Sequence, residues 1–457
     1  MTLTKAPIAS PMGIIGMGRS GKAAARLLAS RGVAVLAFEE KPSPELKGIG
    51  ALPMQVTLLP PNVPPEAMTG CQQVLLSPGV PRSHALVQEL LAAGVPVYND
   101  IELLHRISRI ETPSCRFIGI TGSNGKSTVT TLVGLMLAQS GLNAPTGGNL
   151  GEPACALATP EAQAYVLELS SFQLESTHLF RAEVACLLNI SPDHMDRYPD
   201  CDSYAKAKMR LFDNQQEGDC AVINADDTPS RPWLPADFAA RGVRVVPFSI
   251  RELPPGGIGF LEDGLWDGRG ATPRCLMETR QLLIAGRFNR ANAAAAAAVA
   301  LQAGASEEAV VAVLTTFRGL PHRMETVREL DGVLYINDSK GTNVGAVLES
   351  LQALPRPLIW IAGGRDKHSD FTPLIEPARR HARCAILLGE AAADMQTVLD
   401  GALPLHRVGS LSEAITLARR LAQPGDAVLL SPACASFDMF ANFEDRGARF
   451  REAVNAL

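Results

Sequence analysis

Between an apolar run, Arg116 to Ile120, and a helix-forming run, Val129 to Ala138, stands the octet Thr121-Gly122-Ser123-Asn124-Gly125-Lys126-Ser127-Thr128. A glycine turn in that position demands a strand before it and a helix after it. Glycines let backbone amides close around a polyphosphate, and the N-terminus of the following helix favours negative charge. Lys126 suits neutralisation of β- and γ-phosphates, and the Ser127 hydroxyl suits Mg²⁺. The usual spacing of a phosphate loop puts a glycine at position 120, where this chain has Ile120, so the loop is a shortened variant. A chance Gly-Lys-Ser in an ordinary turn would account for the residues but not for their strand–loop–helix setting.

The same alternation continues on both sides. Met12 to Gly16, Val33 to Phe38 and Gln73 to Leu76 read as strands, with a helix over Arg19 to Ser30. Further strands are predicted at Tyr165 to Leu169, Val184 to Ile190 and Ala221 to Asn224, and hairpins in the Gly/Pro/Asp-rich stretch from Leu253 to Gly270. A third set follows: strands Val333 to Asn337, Leu358 to Ala362, Ala385 to Leu388 and Ala427 to Leu430, with a helix over Val344 to Leu354. Strands alternating with helices give mostly parallel sheets covered by helices. At 457 residues the chain exceeds one ordinary domain. Three α/β domains are expected: 1–110 Rossmann-like, 111–320 a phosphate-loop ATPase-like centre, and 321–457 Rossmann-like, with a linker over Arg109 to Arg116.

Composition removes several classes. With 46% hydrophobic and 19% charged residues the chain reads as globular, and a net charge of -5 argues against a general hold on nucleic acid. Nine dispersed cysteines without a C-x-x-C suggest reduced thiols, neither a disulfide framework nor a zinc site. The longest apolar run, Ala293 to Leu301, is alanine-rich and too short to span a bilayer, so it reads as a packed helix. No leader is recognised near Lys5, and a cytoplasmic protein without membrane insertion is expected.

Other segments put chemistry at strand ends. Gly16-Met17-Gly18-Arg19-Ser20-Gly21, with Glu39 ending the next strand, fits a dinucleotide, another nucleotide diphosphate, or plain helix–strand packing. Glu168 stands in an otherwise apolar strand, where a carboxylate needs a cation or a metal. Asp193, His194 and Asp196 follow another strand, in the Asn189 to Asp196 segment. Asn337-Asp338-Ser339-Lys340 and Gly363-Gly364-Arg365-Asp366-Lys367 do the same in the third unit. Ligands of open α/β sheets gather at such edges.

Taken together, these segments resemble the Mur ligase family. The resemblance rests on TGSNGKSTVTTLVG, GGNLG, YVLELSSFQLE, LNISPDHMDRY, VINADD, TTFRGLPHR, INDSKGTN and LLSPACASFDMFANFEDRG, spread in the family's order over the whole chain. LELSSFQLE with DHMDRY and NDSK-x-TN points to the D-glutamate-adding branch; folate polyglutamate ligases share only the phosphate loop and scattered residues. The resemblance implies an ATP- and Mg²⁺-dependent ligase that joins D-glutamate to UDP-N-acetylmuramoyl-L-alanine, a monomer serving cell-wall synthesis and so cell shape and division.

By the same comparison, Gly16, Gly18, Arg19, Ser20, Ser77, Pro78, Gly79 and Asn149 would hold the UDP substrate. ATP would meet Gly122, Ser123, Asn124, Gly125, Lys126, Ser127 and Thr128, together with Asn289, Asn292, Arg323 and Asp338. Ser127 and Glu168 would hold one Mg²⁺, and His194 with a carbamylated Lys208 a second. Lys126, Lys208 and His194 would serve catalysis, and Lys340, Thr342, Lys367, Ser436 and Phe443 would bind D-glutamate. Members of the branch usually carry an Asp-Thr/Ser-Arg-like run after the second strand. This chain has Glu39-Glu40-Lys41 there, which puts an acid beside the expected uridine pocket. Three rival readings remain: a folate-type polyglutamate ligase, a nicotinamide-dependent dehydrogenase built on the first glycine turn, and a regulatory ATP-binding module without chemistry.

Overall fold

The computed structural model describes residues 10–40, 55–59, 68, 70–195, 197–284, 286–366 and 368–457. Lys367, Asp196 and Lys41 lie outside the described residues.

Three sheets follow one another along the chain. The first holds β1 (Met12–Ile15), β2 (Val35–Phe38), β3 (Val56–Leu58), β4 (Gln73–Leu76) and β5 (Val97–Tyr98), all parallel, in the order β3-β2-β1-β4-β5. The second comprises β6 (Arg116–Thr121), β7 (Thr146–Gly148), β8 (Ala164–Glu168), β9 (Val184–Leu187), β10 (Cys220–Asn224), β11 (Arg244–Ser249), β12 (Ile258–Phe260), β13 (Gly264–Asp267) and β14 (Arg274–Glu278). Its order is β14-β13-β12-β11-β10-β9-β6-β8-β7, antiparallel only across β12-β13-β14, where the glycine-rich stretch makes its hairpins. The third holds β15 (Glu325–Leu330), β16 (Val333–Asn337), β17 (Leu358–Gly363), β18 (Ala382–Leu388), β19 (Leu405–Arg407) and β20 (Ala427–Leu430), in the order β15-β16-β20-β17-β18-β19 with β15 antiparallel. The three-part α/β architecture expected from the sequence is the architecture observed.

In the central sheet β6 lies between β8 and β9, so the phosphate loop leaves an interior strand. Ile118 and Ile120 are buried beneath the Lys126–Gln139 helix, against the Arg287–Ala303 helix. Every residue from Ala293 to Ala300 is fully buried. Small side chains let that helix approach the sheet closely, which explains an apolar run without a membrane. No helix among the described residues is long and apolar enough to cross a membrane.

Two expectations need correction. The predicted linker begins inside a helix, Asp100–Glu111, started by Asn99, whose side chain accepts from the Glu102 amide at 3.0 Å. Its polar residues are paired: Arg109 with Glu183, and Glu111 with Arg31. This helix also joins the first two sheets. The buried Glu102 carboxylate accepts from the amides of His178, Leu179 and Phe180 at 2.8–3.0 Å and from Arg106 Nε at 2.8 Å. The strand predicted over Val184 to Ile190 stops at Leu187: Leu188 N still donates to Thr121 O at 3.0 Å, but Leu188 O and the Ile190 amide turn to the side chains of Asn224 and Asp227.

Candidate active site

The loop between β6 and the following helix is short. Thr121 still pairs in the sheet, Gly122 and Gly125 take positive φ of +154° and +87°, and the helix begins at Lys126. A side chain at Gly125 would collide with Asn292 Oδ1, so the left-handed turn and the tight approach both call for glycine there. Ile120 is compatible because its position lies inside the strand, paired with Glu168 and Cys186.

Two lysines converge on this loop. Lys126 Nζ donates to Gly122 O at 2.7 Å and Ser123 O at 2.8 Å; Lys208 Nζ reaches the same Gly122 O at 2.9 Å. Lys208 is fully buried on the Cys201–Met209 helix, 4.7 Å over the Tyr204 ring, whereas Lys206 on another face is exposed. Burial, and then the neighbouring Lys126 charge, push the Lys208 amine well below the usual lysine range.

Glu168 ends β8 beside them, 2% exposed. Its Oε1 accepts from Asn149 Nδ2 at 2.7 Å, and its Oε2 is buried with no hydrogen-bond donor among the described residues. Burial pushes the carboxyl up, but Lys126, Ser127, Asn149 and Arg323 outweigh that and hold it below the usual range. An ionised, buried oxygen lacking a donor, beside a hydroxyl and a lysine, fits a hard cation that takes oxygen ligands. His194 stands farther out at φ +59°, with its ring edge-on to Phe172 at 4.8 Å and Nε2 3.7 Å from Asp193 Oδ2. Among the described residues no cluster of three His, Cys, Asp or Glu side chains forms a ready-made metal cage.

The third sheet faces this loop across a cleft of about 1140 Å³, which Asn124, Gly125, Thr128, Asn289, Asn292, Arg323 and Asp338 help to line. Arg323 Nη2 donates to Ser127 Oγ at 2.7 Å, and Asn343 Nδ2 reaches Asp193 Oδ2 at 3.0 Å and Asn124 Oδ1 at 3.3 Å. Asp338 is buried, its Oδ2 accepting from Ser350 and Ser431 at 2.7 Å each, and burial raises its carboxyl to about 6.

Beyond Asp338, Lys340 lies with Nζ 3.7 Å from the centre of the Phe443 ring. Burial, then Arg323, lower its amine to about 8. Thr342 is half-buried on the same turn, and Ser436 is buried after β20. One residue the sequence reading passed over ties these segments together. Arg446, 2% exposed, donates to Ser339 Oγ at 3.0 Å, Ser339 O at 2.9 Å, Cys434 O at 3.2 Å and Ala435 O at 3.4 Å. Asn343, within INDSKGTN, was likewise given no role; it caps the Val344–Gln352 helix as well as crossing the cleft.

The first sheet supplies a separate concavity. Gly16 has φ +88°, its carbonyl accepts from Ser77 Oγ at 2.6 Å, and a side chain at Gly21 would strike that carbonyl. Gly18, Arg19 and Gly79 are exposed around the turn, with Ser20 and Pro78 half-buried. Arg19 donates to Gly151 O, two residues beyond Asn149, which bridges toward the central site. Glu39 Oε2 accepts from the Met17 amide at 2.8 Å and so braces the glycine turn.

Comparison with known proteins covers the whole chain. Residues 11–99 match the model of the Mur ligase MurD-like N-terminal domain, 120–300 the Mur ligase middle domain, and 322–434 the Mur ligase glutamate ligase domain. The UDP-N-acetylmuramoylalanine--D-glutamate ligase of Nitrosococcus oceani is 43% identical over 98% of this chain and 97% of the relative. The enzyme of the same name from Marinobacter nauticus is 40% identical over 97% and 98%. Among solved structures, a pseudomurein peptide ligase type C from Methanothermus fervidus shares the fold at a TM-score of 0.62 and 18% identity, covering 97% of this chain and 99% of that one.

Proposed function

The chain belongs to the Mur ligase family, and on that premise we infer that it is an ATP-dependent ligase adding D-glutamate to UDP-N-acetylmuramoyl-L-alanine in peptidoglycan precursor synthesis. The observation that carries the ATP half is the buried, ionised Glu168 with one oxygen lacking a donor among the described residues, set against Lys126 and the glycine loop. Relatives of that activity matching over nearly the full length carry the substrate half.

A carboxylate resists an amine because it is negatively charged and lacks a leaving group. Transfer of the γ-phosphoryl of ATP to the alanyl carboxylate gives an acyl phosphate, and attack by the D-glutamate amine then releases phosphate through a tetrahedral intermediate. Lys126 and the helix N-terminus neutralise charge growing on the phosphates, and positioning supplies most of the rest. Arg323 and Asp338 hold the nucleotide from the facing unit, with Asn289 and Asn292 beneath it. Ser127 and Glu168 would hold one Mg²⁺, whose charge would screen the phosphate oxygens, and His194 with a carbamylated Lys208 would offer a second site. Lys340, Thr342, Ser436 and Phe443, with Lys367, receive D-glutamate, whose two carboxylates need cations. The glycine turn at Gly16 to Ser20, Ser77 to Gly79 and Asn149 take the UDP substrate.

The working units are 1–110, 111–320 and 321–457, one for each substrate. The enzyme acts as a cytoplasmic monomer, a setting that suits nine reduced cysteine thiols. The dehydrogenase alternative leaves the phosphate loop of Gly122 to Thr128 and the buried Glu168 without a role. The test is phosphate release with ATP, Mg²⁺ and UDP-N-acetylmuramoyl-L-alanine, scanning amino acids of both hands. Release confined to D-glutamate is expected; release with another amino acid alone overturns the assignment.

A further inference from the structure

VINADD ends β10, yet none of its polar residues has a place in the chemistry above. Asn224 Nδ2 donates to Leu188 O at 2.8 Å, and Asp227 Oδ2 accepts from the Ile190 amide at 3.0 Å. Asp226 turns the other way, accepting from Ser249 Oγ and the Ile250 amide at 2.8 Å each. Asn224 and Asp227 therefore grip the three residues that leave β9, and those residues grip the phosphate loop.

The grip on the loop is close. Ser123 N donates to Asn189 O at 3.0 Å, Asn124 N to Asn189 Oδ1 at 2.9 Å, and Asn189 Nδ2 to Asn124 O at 3.2 Å. Ser191 N donates to Ser123 Oγ at 2.9 Å, and that hydroxyl donates to Ser191 O at 2.9 Å. The single side chain of Asn189 thus satisfies both backbone groups of Asn124. Because the Ser123 proton goes to Ser191, the Tyr204 hydroxyl 3.1 Å away is the donor in its contact with Ser123.

This has a physical reason. The strand runs through position 120 to Thr121, leaving only residues 122–125 to make the turn. So short a loop has few internal hydrogen bonds with which to hold its own curvature, and the amides of Ser123 and Asn124 are spent on Asn189. The amides that remain to meet a polyphosphate are those at the helix start, and their direction depends on the turn before them.

We propose that Asn189, through both backbone groups of Asn124, and Asp227, through the Ile190 amide, are positioning residues that set the shape of the phosphate loop for the polyphosphate of ATP. The proposal rests on the ATP-binding reading above. Asn189 and Asp227 both line the cleft, so a direct hold on the nucleotide is the competing role, and a substitution at Asp227 separates the two. The two roles differ in what asparagine does: its amide oxygen still accepts from Ile190, but its charge is gone.

The experiment is calorimetric titration of the full chain with Mg²⁺·ADP and, separately, with UDP-N-acetylmuramoyl-L-alanine. Asn189→Ala and Asp227→Ala should each weaken ADP by roughly tenfold, with affinity for the UDP substrate unchanged and Asp227→Asn close to wild type. ADP affinity at the wild-type level in both alanine variants overturns the proposal. So does an Asp227→Asn variant as weak as Asp227→Ala, which would assign the carboxylate to the nucleotide itself, or a parallel loss of UDP-substrate affinity. If Asp227→Ala does not fold, Asn189→Ala and Asp227→Asn decide together. A wild type that binds no ADP sinks the ATP-dependent reading, whereas normal wild-type binding with indifferent variants sinks only this one.

Discussion

Arg323 reaches across the cleft to Ser127, its Nη2 2.7 Å from the hydroxyl at the head of the phosphate-loop helix. The two lie 196 positions apart, and the contact holds a cation where the phosphate oxygens of the proposed nucleotide would sit. Arg323→Ala should raise the KM for ATP by about ten- to a hundredfold, since a charge-assisted contact is worth roughly 1.5–3 kcal/mol. The KM for the UDP substrate should hardly move. Steady-state kinetics with each substrate varied in turn checks this, and equal effects on both would remove Arg323 from the nucleotide.

Glu168 answers to a different titration. Glu168→Gln keeps the shape and the Asn149 contact but removes the charge that a divalent cation needs. Turnover at ordinary Mg²⁺ should fall by about 10²–10³, the scale of losing one preorganised electrostatic partner, and recover in part as Mg²⁺ is raised. An unchanged Mg²⁺ dependence would argue that Glu168 is only a buried partner for Lys126.

Glu102 governs stability and takes no part in the chemistry. Burial raises its carboxyl, but three backbone amides and Arg106 outweigh that and hold it below the ordinary range. Its contribution is therefore present above the unfolded carboxylate pKa and is lost as pH falls through the lower folded value. Glu102→Ala leaves those donors buried without a partner and should cost about 3–5 kcal/mol. Denaturant unfolding of the wild type and the variant at pH 7 measures it, and a cost under about 1 kcal/mol would show that the two units do not depend on this joint.

These cases mark how far the sequence could be read. Lys126 and Glu168 stood out locally, one in a glycine turn between strand and helix, the other as a carboxylate in an apolar strand. Arg323 on Ser127, and Asn343 on Asp193 150 positions away, had no local signal, because their meaning is set by how two sheets face each other. The misread linker has the same origin. Arg109 and Glu111 look like solvated polar residues until Glu183 and Arg31 arrive, 74 and 80 positions distant. Asn189 and Asp227 sat inside stretches already recognised, but only the shortness of the loop shows why they are there.

Lys340 should give the reaction an alkaline limb. Its amine falls from 10.5 to about 8, through burial first and Arg323 second, with Lys126 adding to that and Glu168 and Glu444 opposing it. It is charged below pH 8 and loses its charge as pH rises through that value. The kcat/KM for D-glutamate should decline above pH 8, while Lys340→Arg, which stays charged, should lose that decline along with some affinity. Stability moves the other way. Between about 8 and 10.5 the unfolded chain holds more protons than the folded one, so the cost of burying Lys340 is fully present below 8 and is relieved as pH climbs. A flat wild-type profile to pH 10 would place the amine outside the glutamate pocket.

Lys208 carries the sharpest prediction. Its amine shares the Gly122 carbonyl with Lys126, buried and with no carboxylate bonded to it among the described residues. Two ammonium groups on one carbonyl repel each other, which favours the neutral amine, the form that reacts with carbon dioxide. A carbamate reverses the charge and turns a repulsion toward Lys126 into an attraction, while offering oxygen ligands to Mg²⁺. An unmodified lysine here would instead repel the metal. Mass measurement of the intact protein in bicarbonate should find one added carbamate, absent in Lys208→Ala. That variant should be inactive and regain part of its turnover with short-chain carboxylates small enough for the vacated space. Full activity of Lys208→Ala without any additive would refute the modification and leave Lys208 as a buried support of the Gly122 turn.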